Sequence, residues 1–292
     1  MIQPIAVLGV GGIGGMLAVR TGALCVATER TVAAIRSSGL RLVHGQTTTN
    51  AYPEAVDRLE TRVGLLVVAV KAYDLDDALD RIAPEAVSGA VVLPLLNGLE
   101  HVEAIRERLP AVAAGSIGRV EAFSPEPGLV VQRTPGATVT GASRDLDRAA
   151  LDAALEPLRV PGIDVVLGDD ERAVLWEKAG RLAVLAAATV ASGLAIGPLR
   201  DDATWRPLLD EALGEACAVA AADGVGLDAA AQWAIIEAMP ADLTASTARD
   251  AASGGPTELD AITGSVVRAG ARLGVPTPAL AGLLEEAACR VR

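Results

Sequence analysis

The feature that most constrains this chain is a glycine-rich turn between a strand pattern and a helix pattern, close to the N-terminus. Residues 5–8 are Ile-Ala-Val-Leu, and Gly9-Val10-Gly11-Gly12-Ile13-Gly14 follows directly. In that context Gly9 permits a tight turn, Gly11 lets a ligand approach the backbone, and Gly14 lets the helix pack closely on the strand. The first amides of such a helix favour a pyrophosphate. The motif predicts a dinucleotide-binding turn that includes Gly12 and Ile13; the alternative is an ordinary glycine-rich turn.

Short apolar runs alternate with helix patterns through the first half of the chain. Residues 65–70 and 91–93 are such runs, and continuous β-branched segments fit parallel strands that are buried on both faces. Helix patterns fall between them, around 12–21, 74–84 and 100–108. We therefore predict an α/β fold with an N-terminal Rossmann-type, doubly wound parallel sheet.

The pattern changes after residue 120. Glu126-Pro127-Gly128 predicts a turn in a hairpin-like addition at the end of the sheet, and residues 157–167 include one more strand pattern. Beyond Gly168 the pattern is almost wholly helical. We expect a dinucleotide-binding domain at 1–168 and an all-helical substrate and dimerisation domain at 169–292.

Composition argues against several kinds of partner. Acidic residues outnumber basic ones by 37 to 25, so the net charge is −12, and we expect no nucleic acid as a partner. The two histidines and three scattered cysteines lack metal-site spacing, so we expect no metal. Unpaired thiols fit a reducing compartment, and the strand pattern starts at the N-terminus without a signal peptide, so we expect a cytoplasmic protein.

One segment is long and uncharged enough to be compared with a membrane span. It covers residues 182–199, LAVLAAATVASGLAIGPL. The segment is rich in alanine, which is only weakly hydrophobic, and it contains glycine and proline near its end. We interpret it as a buried core helix and expect no membrane partner.

The end of the second strand pattern bears on the choice of cofactor. That pattern covers residues 24–28 and is followed by Glu29 and Arg30. An acidic residue at this place binds the ribose hydroxyls of NAD, whereas an arginine accommodates the 2′-phosphate of NADP. The sequence alone leaves both interpretations open, and both side chains could also be solvated loop charges.

Three polar residues stand where ligands bind or where acid catalysis needs a cation. Lys71 follows the strand pattern 65–70, and Asn97 follows the next, so both point toward the crevice at the carboxyl ends of parallel strands. Lys178 precedes the long apolar helix and could act as a general acid toward a carbonyl oxygen. The alternatives are a solvated strand-end cation for Lys71, a turn residue for Asn97, and a snorkelling or ion-paired side chain for Lys178.

Taken together, these motifs resemble one known family over essentially the whole chain. The motifs are Gly9–Gly14, Val70-Lys71-Ala72-Tyr73, Asn97-Gly98, Pro127-Gly128, Trp176-x-Lys178, Ser246 with Asp250, and Pro256-Thr257-Glu258-x-Asp260 followed by Gly274-Val275-Pro276-Thr277-Pro278. The chain resembles the ketopantoate reductase (2-dehydropantoate 2-reductase) family. The resemblance implies NADPH-dependent reduction of a branched 2-oxo acid, a place in pantothenate biosynthesis, and a homodimer.

The resemblance also implies roles for individual residues. Lys178 is the acid near the carbonyl oxygen, and Glu258 and Asn97 orient the substrate. Ser246 contacts the substrate carboxylate, while Lys71 lies by the cofactor and the substrate, and Asn97 also lies by the cofactor.

The chain departs from the family pattern at the predicted substrate pocket. The family usually has asparagine four and eight residues after the lysine, whereas this chain has Leu182 and Ala186. Gly255 stands where the family has an arginine. Residues four and eight positions on share a helix face, so Leu182 and Ala186 predict a pocket wall that is more apolar than one built for ketopantoate.

Our leading hypothesis is an NADPH-dependent 2-oxo-acid reductase in which Lys178 protonates the developing alkoxide. A second enzymatic hypothesis is a relative that reduces a less polar carbonyl or an imine. Two hypotheses without catalysis are an NADP(H)-binding sensor and a structural helical dimerisation protein. A cofactor titration followed by a turnover screen separates these four.

Overall fold

The computed structural model describes residues 4–291, and these divide into two compact units. The first unit runs to Leu96 and resumes from His101 to Val174, and the second contains Asn97–Glu100 and the chain from Leu175 onward. The domain limits 1–168 and 169–292 stay a prediction. The short segment Asn97–Glu100, from the first half of the sequence, belongs to the helical unit.

The strands of the described residues are, in chain order, β1 (Ile5–Leu8), β2 (Leu24–Val26), β3 (Leu40–His44), β4 (Thr47–Ala51), β5 (Ala55–Val56), β6 (Leu65–Val68), β7 (Val91–Pro94), β8 (Ala114–Gly118), β9 (Ala122–Glu126), β10 (Leu129–Gln132), β11 (Ala137–Ala142) and β12 (Ile163–Leu167). The helices of the first unit are α1 (Gly12–Thr21), α2 (Glu29–Ser38), α3 (Leu75–Leu79), α4 (His101–Arg106) and α5 (Arg148–Leu155). Short 3-10 turns lie at Ala72–Asp74, Pro84–Val87 and Glu156–Leu158.

The first unit contains three sheets within residues 4–291. The largest is wholly parallel, in the order β5-β2-β1-β6-β7, and β1, β6 and β7 are buried along their whole length. The predicted Rossmann-type parallel sheet is therefore confirmed. The chain runs outward from β1 in one direction and then crosses to β6 on its other side. Sheets of this kind bind ligands at that reversal, outside the carboxyl ends of the strands.

The predicted hairpin is present, but its place in the fold differs from the prediction. Strands β9 and β10 pair antiparallel around a turn in which Gly128 has a φ of 84°. The expectation that this hairpin extends the parallel sheet is wrong, because β10 also pairs with β3 in a second sheet of order β4-β3-β10-β9. The hairpin of β3 and β4 has no clear signal in the sequence, since Thr47–Ala51 is polar and largely exposed.

The second unit is helical. Its helices begin with the long α6 (Glu171–Ser192), whose first four residues belong to the first unit, and continue with α7 (Ile196–Asp201), α8 (Trp205–Ala222), α9 (Ala229–Glu237), α10 (Ser246–Ala252), α11 (Ser265–Leu273) and α12 (Pro278–Arg290). The apolar segment 182–199 is buried as predicted from Ala183 to Ala191, but it is not one helix. Gly193, with a φ of 70°, ends α6, and α7 follows after a break. Among the described residues, no helix has the length and hydropathy that crossing a membrane requires.

The segment before α11 departs from regular helix geometry. Residues Asp260–Gly264 form a π-helical turn that runs directly into α11. The sequence predicts a helix that opens with Thr257-Glu258-x-Asp260 and is stopped by Gly274. The helical residues begin only at Leu259, and Gly274 does end α11 in the left-handed conformation. Single π turns inside helices occur frequently at functional sites.

Candidate functional site

The glycine-rich turn has the geometry that a dinucleotide requires. A Cβ on Gly14 would lie 1.8 Å from the carbonyl oxygen of Gly9, and a Cβ on Gly12 would lie 2.3 Å from that of Ala122, so both positions demand glycine for packing. Gly11 differs, because a Cβ there would meet no atom within 4 Å. Glycine at this position therefore leaves open space rather than avoiding a clash in the protein.

The N-terminus of α1 is the natural anion site of this turn. Gly11 is the N-cap residue and caps the helix with no side chain. The first amides of a helix lack intrahelical partners and carry the positive end of the helix dipole. With open space at Gly11 and uncapped amides beyond it, the turn fits the pyrophosphate of a dinucleotide.

Lys71 lies next to this turn. It follows β6, directly after Val70, and a Cβ on Gly9 would lie 2.5 Å from a methyl carbon of Val70. The carboxyl ends of β1 and β6 are neighbours in the parallel sheet, with Leu8 paired to Val68. The structure therefore brings Lys71 and the glycine-rich turn together, and the Lys71 side chain is partly buried.

The two charges after β2 lie on a helix rather than on a loop. Glu29 and Arg30 are the first two residues of α2, and both are exposed. An acidic residue in the first turn of a helix is favoured by the helix dipole, so Glu29 has a structural role besides any contact with a ribose. Arg30 stands beside the exposed hydroxyls of Thr28 and Thr31, whose oxygens are 3.2 Å apart.

Asn97 belongs to the helical unit because the residues after it bind the π-helical turn. Gly98, with a φ of 95°, passes so close to the carbonyl of Ala261 that a Cβ would lie 2.0 Å from its oxygen. Glu100 accepts two hydrogen bonds from Arg268, from Nε at 2.9 Å and Nη2 at 2.8 Å. Arg268 also donates to Asp260 at 2.7 Å. These contacts hold Asn97 beside the segment that carries Glu258.

The two carboxylates of the Thr257-Glu258-x-Asp260 motif have different surroundings. Asp260 is exposed and is paired with Arg268, the arginine that also binds Glu100. Glu258 is buried, with 3% of its surface exposed. Buried carboxylates require a cation or hydrogen-bond donors nearby, and the charge of Glu258 acts on Lys178.

Lys178 has a strongly perturbed electrostatic environment. Its pKa is lowered to about 8, first by burial and second by repulsion from Arg181, while the charge of Glu258 opposes both. The lysine projects from α6, which is fixed by the preceding turn, where the buried Trp176 donates from Nε1 to Asp223 at 2.9 Å. A lysine whose pKa is lowered to about 8 is suited to donate a proton.

Leu182 and Ala186 share one face of α6, as the spacing predicts, and belong to an apolar cluster with Ala245 and Ile262. Ala186 has 0% of its surface exposed and is enclosed by apolar neighbours, whereas Leu182 is only partly buried, so of the two only Leu182 is available to a substrate. Ala245 immediately precedes Ser246, the partly buried first residue of α10. The cluster thus places the segment of Ser246 against the Leu182 face of α6.

Two residues of this neighbourhood were not predicted from the sequence. Arg181 is partly buried on α6 and donates from Nη1 to Oε1 of Gln232 at 3.0 Å, and Gln232 is itself buried on α9. One signal was available: Arg181 follows the predicted acid by three positions, and side chains three apart are neighbours on a helix.

The composition gives a separate signal for the two predicted lysines. Among 25 lysines and arginines only two are lysines, Lys71 and Lys178. A chain that uses arginine almost everywhere for positive charge retains lysine at two places, and lysine differs from arginine in being a compact cation that can lose its proton. This bias points to the same two residues as the motifs.

A separate cavity of about 280 Å³ opens near the other end of α6. Its lining includes Thr189, Thr244, Arg249 and Arg290, and none of the predicted site residues. Arg249 donates to the carbonyl of Thr244, and Arg290 to that of Ala191 at the end of α6. This cavity is therefore distinct from the surroundings of Lys178.

Comparison with known families covers both units. The family description "Ketopantoate reductase PanE/ApbA" matches residues 5–145, and its C-terminal counterpart matches residues 170–288. The chain belongs to the ketopantoate reductase family. Members of this family are NAD(P)H-dependent oxidoreductases, and the chain is therefore an enzyme of this class.

One curated relative and one solved structure agree with that assignment, and a second solved structure shares the fold. The chain is 28% identical to the 2-dehydropantoate 2-reductase of Halobacterium salinarum over 240 residues, which cover 80% of this chain and 78% of the relative. It is also similar to the crystal structure of a PanE/ApbA family ketopantoate reductase from Ralstonia eutropha, with 29% identity, a TM-score of 0.86, and coverage of 99% and 98% of the two chains. A ternary structure of D-mandelate dehydrogenase with NADH and anilino(oxo)acetate shares the fold, with 22% identity, a TM-score of 0.89, and coverage of 99% and 98%.

Proposed function

We propose that the chain is an NADPH-dependent reductase of a 2-oxo acid whose side chain is less polar than that of ketopantoate. The observation that carries the proposal is the pairing of Lys178, with its lowered pKa, and the apolar Leu182 one turn along the same helix face. A 2-oxo acid offers a carbonyl oxygen to the ammonium of Lys178 and an alkyl or aryl group to Leu182.

The residues of the first unit fit a nicotinamide dinucleotide. The open space at Gly11 and the uncapped N-terminus of α1 suit its pyrophosphate, with Gly9, Gly12, Ile13 and Gly14 forming the turn around it. In this proposal Arg30 binds the 2′-phosphate of NADPH at the start of α2, and Lys71 lies by the cofactor and the substrate. When bound, the cofactor supplies the hydride that reduces the carbonyl carbon.

In the proposed mechanism the second unit binds the substrate and manages one proton. Lys178 donates a hydrogen bond to the carbonyl oxygen, stabilises the negative charge that develops there, and transfers its proton to it. Glu258 holds the ammonium in place through its opposite charge, and Asn97 orients the substrate beside it and also contacts the cofactor. Ser246, at the start of α10, donates its hydroxyl to the substrate carboxylate.

The apolar wall is the reason for naming a less polar substrate. Leu182 offers no hydrogen bond to the hydroxyl group of ketopantoate, and an unpaired buried hydroxyl costs about 1–3 kcal/mol. Anilino(oxo)acetate, bound in the D-mandelate dehydrogenase structure, carries a phenyl ring on the nitrogen that is attached to its oxo carbon. An aryl 2-oxo acid therefore belongs in any screen beside the branched aliphatic ones.

The test is a cofactor titration followed by a turnover screen. NADPH and NADH binding are measured by calorimetry, and oxidation of NADPH is then followed by absorbance with ketopantoate, trimethylpyruvate, phenylglyoxylate and a cyclic imine. The proposal expects tight NADPH binding and turnover of one or more of the less polar 2-oxo acids. Binding without turnover of any compound favours the sensor, and turnover of the imine alone favours the imine reductase.

Further assignments accompany this proposal. We propose that the enzyme is cytoplasmic, that it is a homodimer, and that its domains extend over 1–168 and 169–292. Efficient turnover of ketopantoate would instead point to pantothenate biosynthesis. Light scattering on purified protein tests the dimer, and separate expression of the two segments tests the domain limits.

A further inference from the structure

A second cation lies one helical turn beyond Lys178. Arg181 is partly buried on α6, and residues three apart on a helix have Cβ atoms about 5–6 Å from each other. Its guanidinium donates to the backbone carbonyl of Glu177 and to Oε1 of Gln232, at 3.0 Å in the second case. Both acceptors are neutral, so these two hydrogen bonds fix the position of the guanidinium without cancelling its charge.

Gln232 can hold the guanidinium of Arg181 in place without cancelling its charge. It lies on α9 with only 7% of its surface exposed, and its amide oxygen faces the guanidinium. A carboxylate at this position would bind Arg181 more tightly but would neutralise it, since an ion pair has no net charge. The amide of Gln232 is a neutral acceptor, so the positive charge of Arg181 is not neutralised by it.

We propose that Arg181 is a positioning residue for proton transfer, whose charge, held in place by Gln232, makes Lys178 a readier proton donor to the substrate. The inference rests on the proposed function, because it assigns Arg181 a part in the same reaction. It gives a role to a residue that lies immediately before Leu182, where the chain departs from the family pattern.

The electrostatics of the site support this role. Burial is the larger cause of the lowered pKa of Lys178, repulsion from Arg181 is the second, and the charge of Glu258 acts in the opposite direction. The exposed carboxylate of Glu177 attracts Arg181 from the same helix, but water screens it. Arginine stays protonated throughout the accessible pH range, so its repulsion is constant while Lys178 titrates. A general acid works best when its pKa lies close to the operating pH, and a pKa of about 8 meets that condition.

The sign of the pH effect follows directly. Lys178 must be protonated to donate, so kcat is constant below its pKa and falls as the pH rises through about 8. Without the charge of Arg181 the pKa of Lys178 rises. The basic limb of the pH profile then moves to higher pH, and the plateau of kcat falls because Lys178 has become a weaker acid.

Three variants and one control separate charge from packing. Arg181→Met removes the charge and keeps most of the apolar stem, whereas Arg181→Lys keeps the charge and loses the planar guanidinium. Gln232→Glu leaves Arg181 in place and sets a carboxylate against it. The control is Arg172→Met, which removes an exposed arginine from the same helix, where water and salt screen its charge.

The lysine content of the chain gives a readout that needs no substrate. Lys71 and Lys178 are the only lysines, so protein labelled with ¹³C at the lysine Cε gives two side-chain signals in a heteronuclear spectrum. Lys71→Arg identifies which signal is which. Titration of the Lys178 signal, in protein without cofactor or substrate, then measures its pKa directly.

We expect Lys178 to titrate at higher pH in Arg181→Met and in Gln232→Glu than in the wild type. In Arg172→Met, and in Arg181→Lys, whose added lysine gives a third signal that the wild-type spectrum lacks, the Lys178 signal should titrate close to the wild type. An unchanged Lys178 titration in both charge-cancelling variants overturns the proposal, and Gln232→Glu keeps the test valid if Arg181→Met fails to fold. A shifted titration without turnover of any 2-oxo acid would contradict the proposed reaction instead, leaving the coupling of the two cations established.

Discussion

The glycine-rich turn of the first unit and the surroundings of Lys178 in the second are constrained by different kinds of energy. At Gly14 the constraint is steric, because a Cβ would lie 1.8 Å from a carbonyl oxygen and no shift of a side chain relieves it. At Lys178 the constraint is electrostatic and graded, since burial and Arg181 lower the pKa of the lysine and Glu258 raises it. A side chain at Gly14 is therefore not tolerated, whereas substitutions around Lys178 should change its pKa by degrees. Leu182, one of the departures from the family pattern, lies about one turn from Lys178 on α6.

The largest effect is expected from removing the proton donor. Lys178→Ala should lower kcat by about 10²–10⁴, as loss of a general acid does, while NADPH affinity stays near the wild-type value. Steady-state kinetics and calorimetry on the same preparation check both parts. Turnover within a few-fold of the wild type would show that Lys178 has only a structural role.

The turn offers a pair of variants that separates binding from folding. Gly11→Ala should fold normally, because its Cβ meets no protein atom within 4 Å, but it should weaken cofactor binding by about 10–100-fold through lost contacts to the pyrophosphate. Gly14→Ala should lose the fold of the unit. Gly118→Ala, with equally open surroundings, is the control. Normal NADPH affinity in Gly11→Ala would show that the pyrophosphate lies elsewhere.

Cofactor preference should change by a smaller factor. Arg30→Ala should weaken NADPH binding by about ten-fold, the lower end for a hydrogen bond to a charged group, and leave NADH binding unchanged. Glu29→Gln is the matched variant, and it should improve NADPH binding because it removes a negative charge next to the phosphate. If Arg30→Ala keeps the full preference, another residue reads the 2′-phosphate.

The smallest effect concerns the pocket wall. Leu182→Asn should shift relative kcat/KM toward ketopantoate several-fold, since one new hydrogen bond is worth about 0.5–1.5 kcal/mol. Ala186→Asn should instead lower the melting temperature, because that position has 0% exposure among apolar neighbours. A shift of substrate preference by Ala186→Asn without loss of stability would place that residue on the pocket surface.

The sequence predicted well what depends on local pattern. The parallel sheet was readable from continuous apolar runs, and the turn after β1 from its glycines, because burial on two faces and a tight turn each leave a mark on a few adjacent residues. The helix-breaking effect of Gly193 and the hairpin of β3 and β4 were missed, since alanine-rich and polar segments carry weak periodicity.

The sequence predicted less of what depends on distant contacts. That Asn97 joins the helical unit follows from Gly98 against Ala261 and Glu100 against Arg268, pairs separated by more than 160 positions. The link between Arg181 and Gln232 spans 51 positions, and no local motif announces it. The different surroundings of Glu258, which is buried, and Asp260, which pairs with Arg268, likewise depend on contacts that form only in the folded protein.

We propose that the substrate pocket of this enzyme is less polar than one built for ketopantoate, while the acid Lys178 is retained. Trimethylpyruvate differs from ketopantoate only in lacking the hydroxyl oxygen, so the ratio of the two kcat/KM values with NADPH isolates the effect of that group. We expect the wild-type enzyme to prefer trimethylpyruvate by about ten-fold or more, the equivalent of an unpaired hydroxyl. Efficient reduction of ketopantoate, with a kcat/KM on the order of 10⁴ M⁻¹s⁻¹ or above and no preference for trimethylpyruvate, would contradict it.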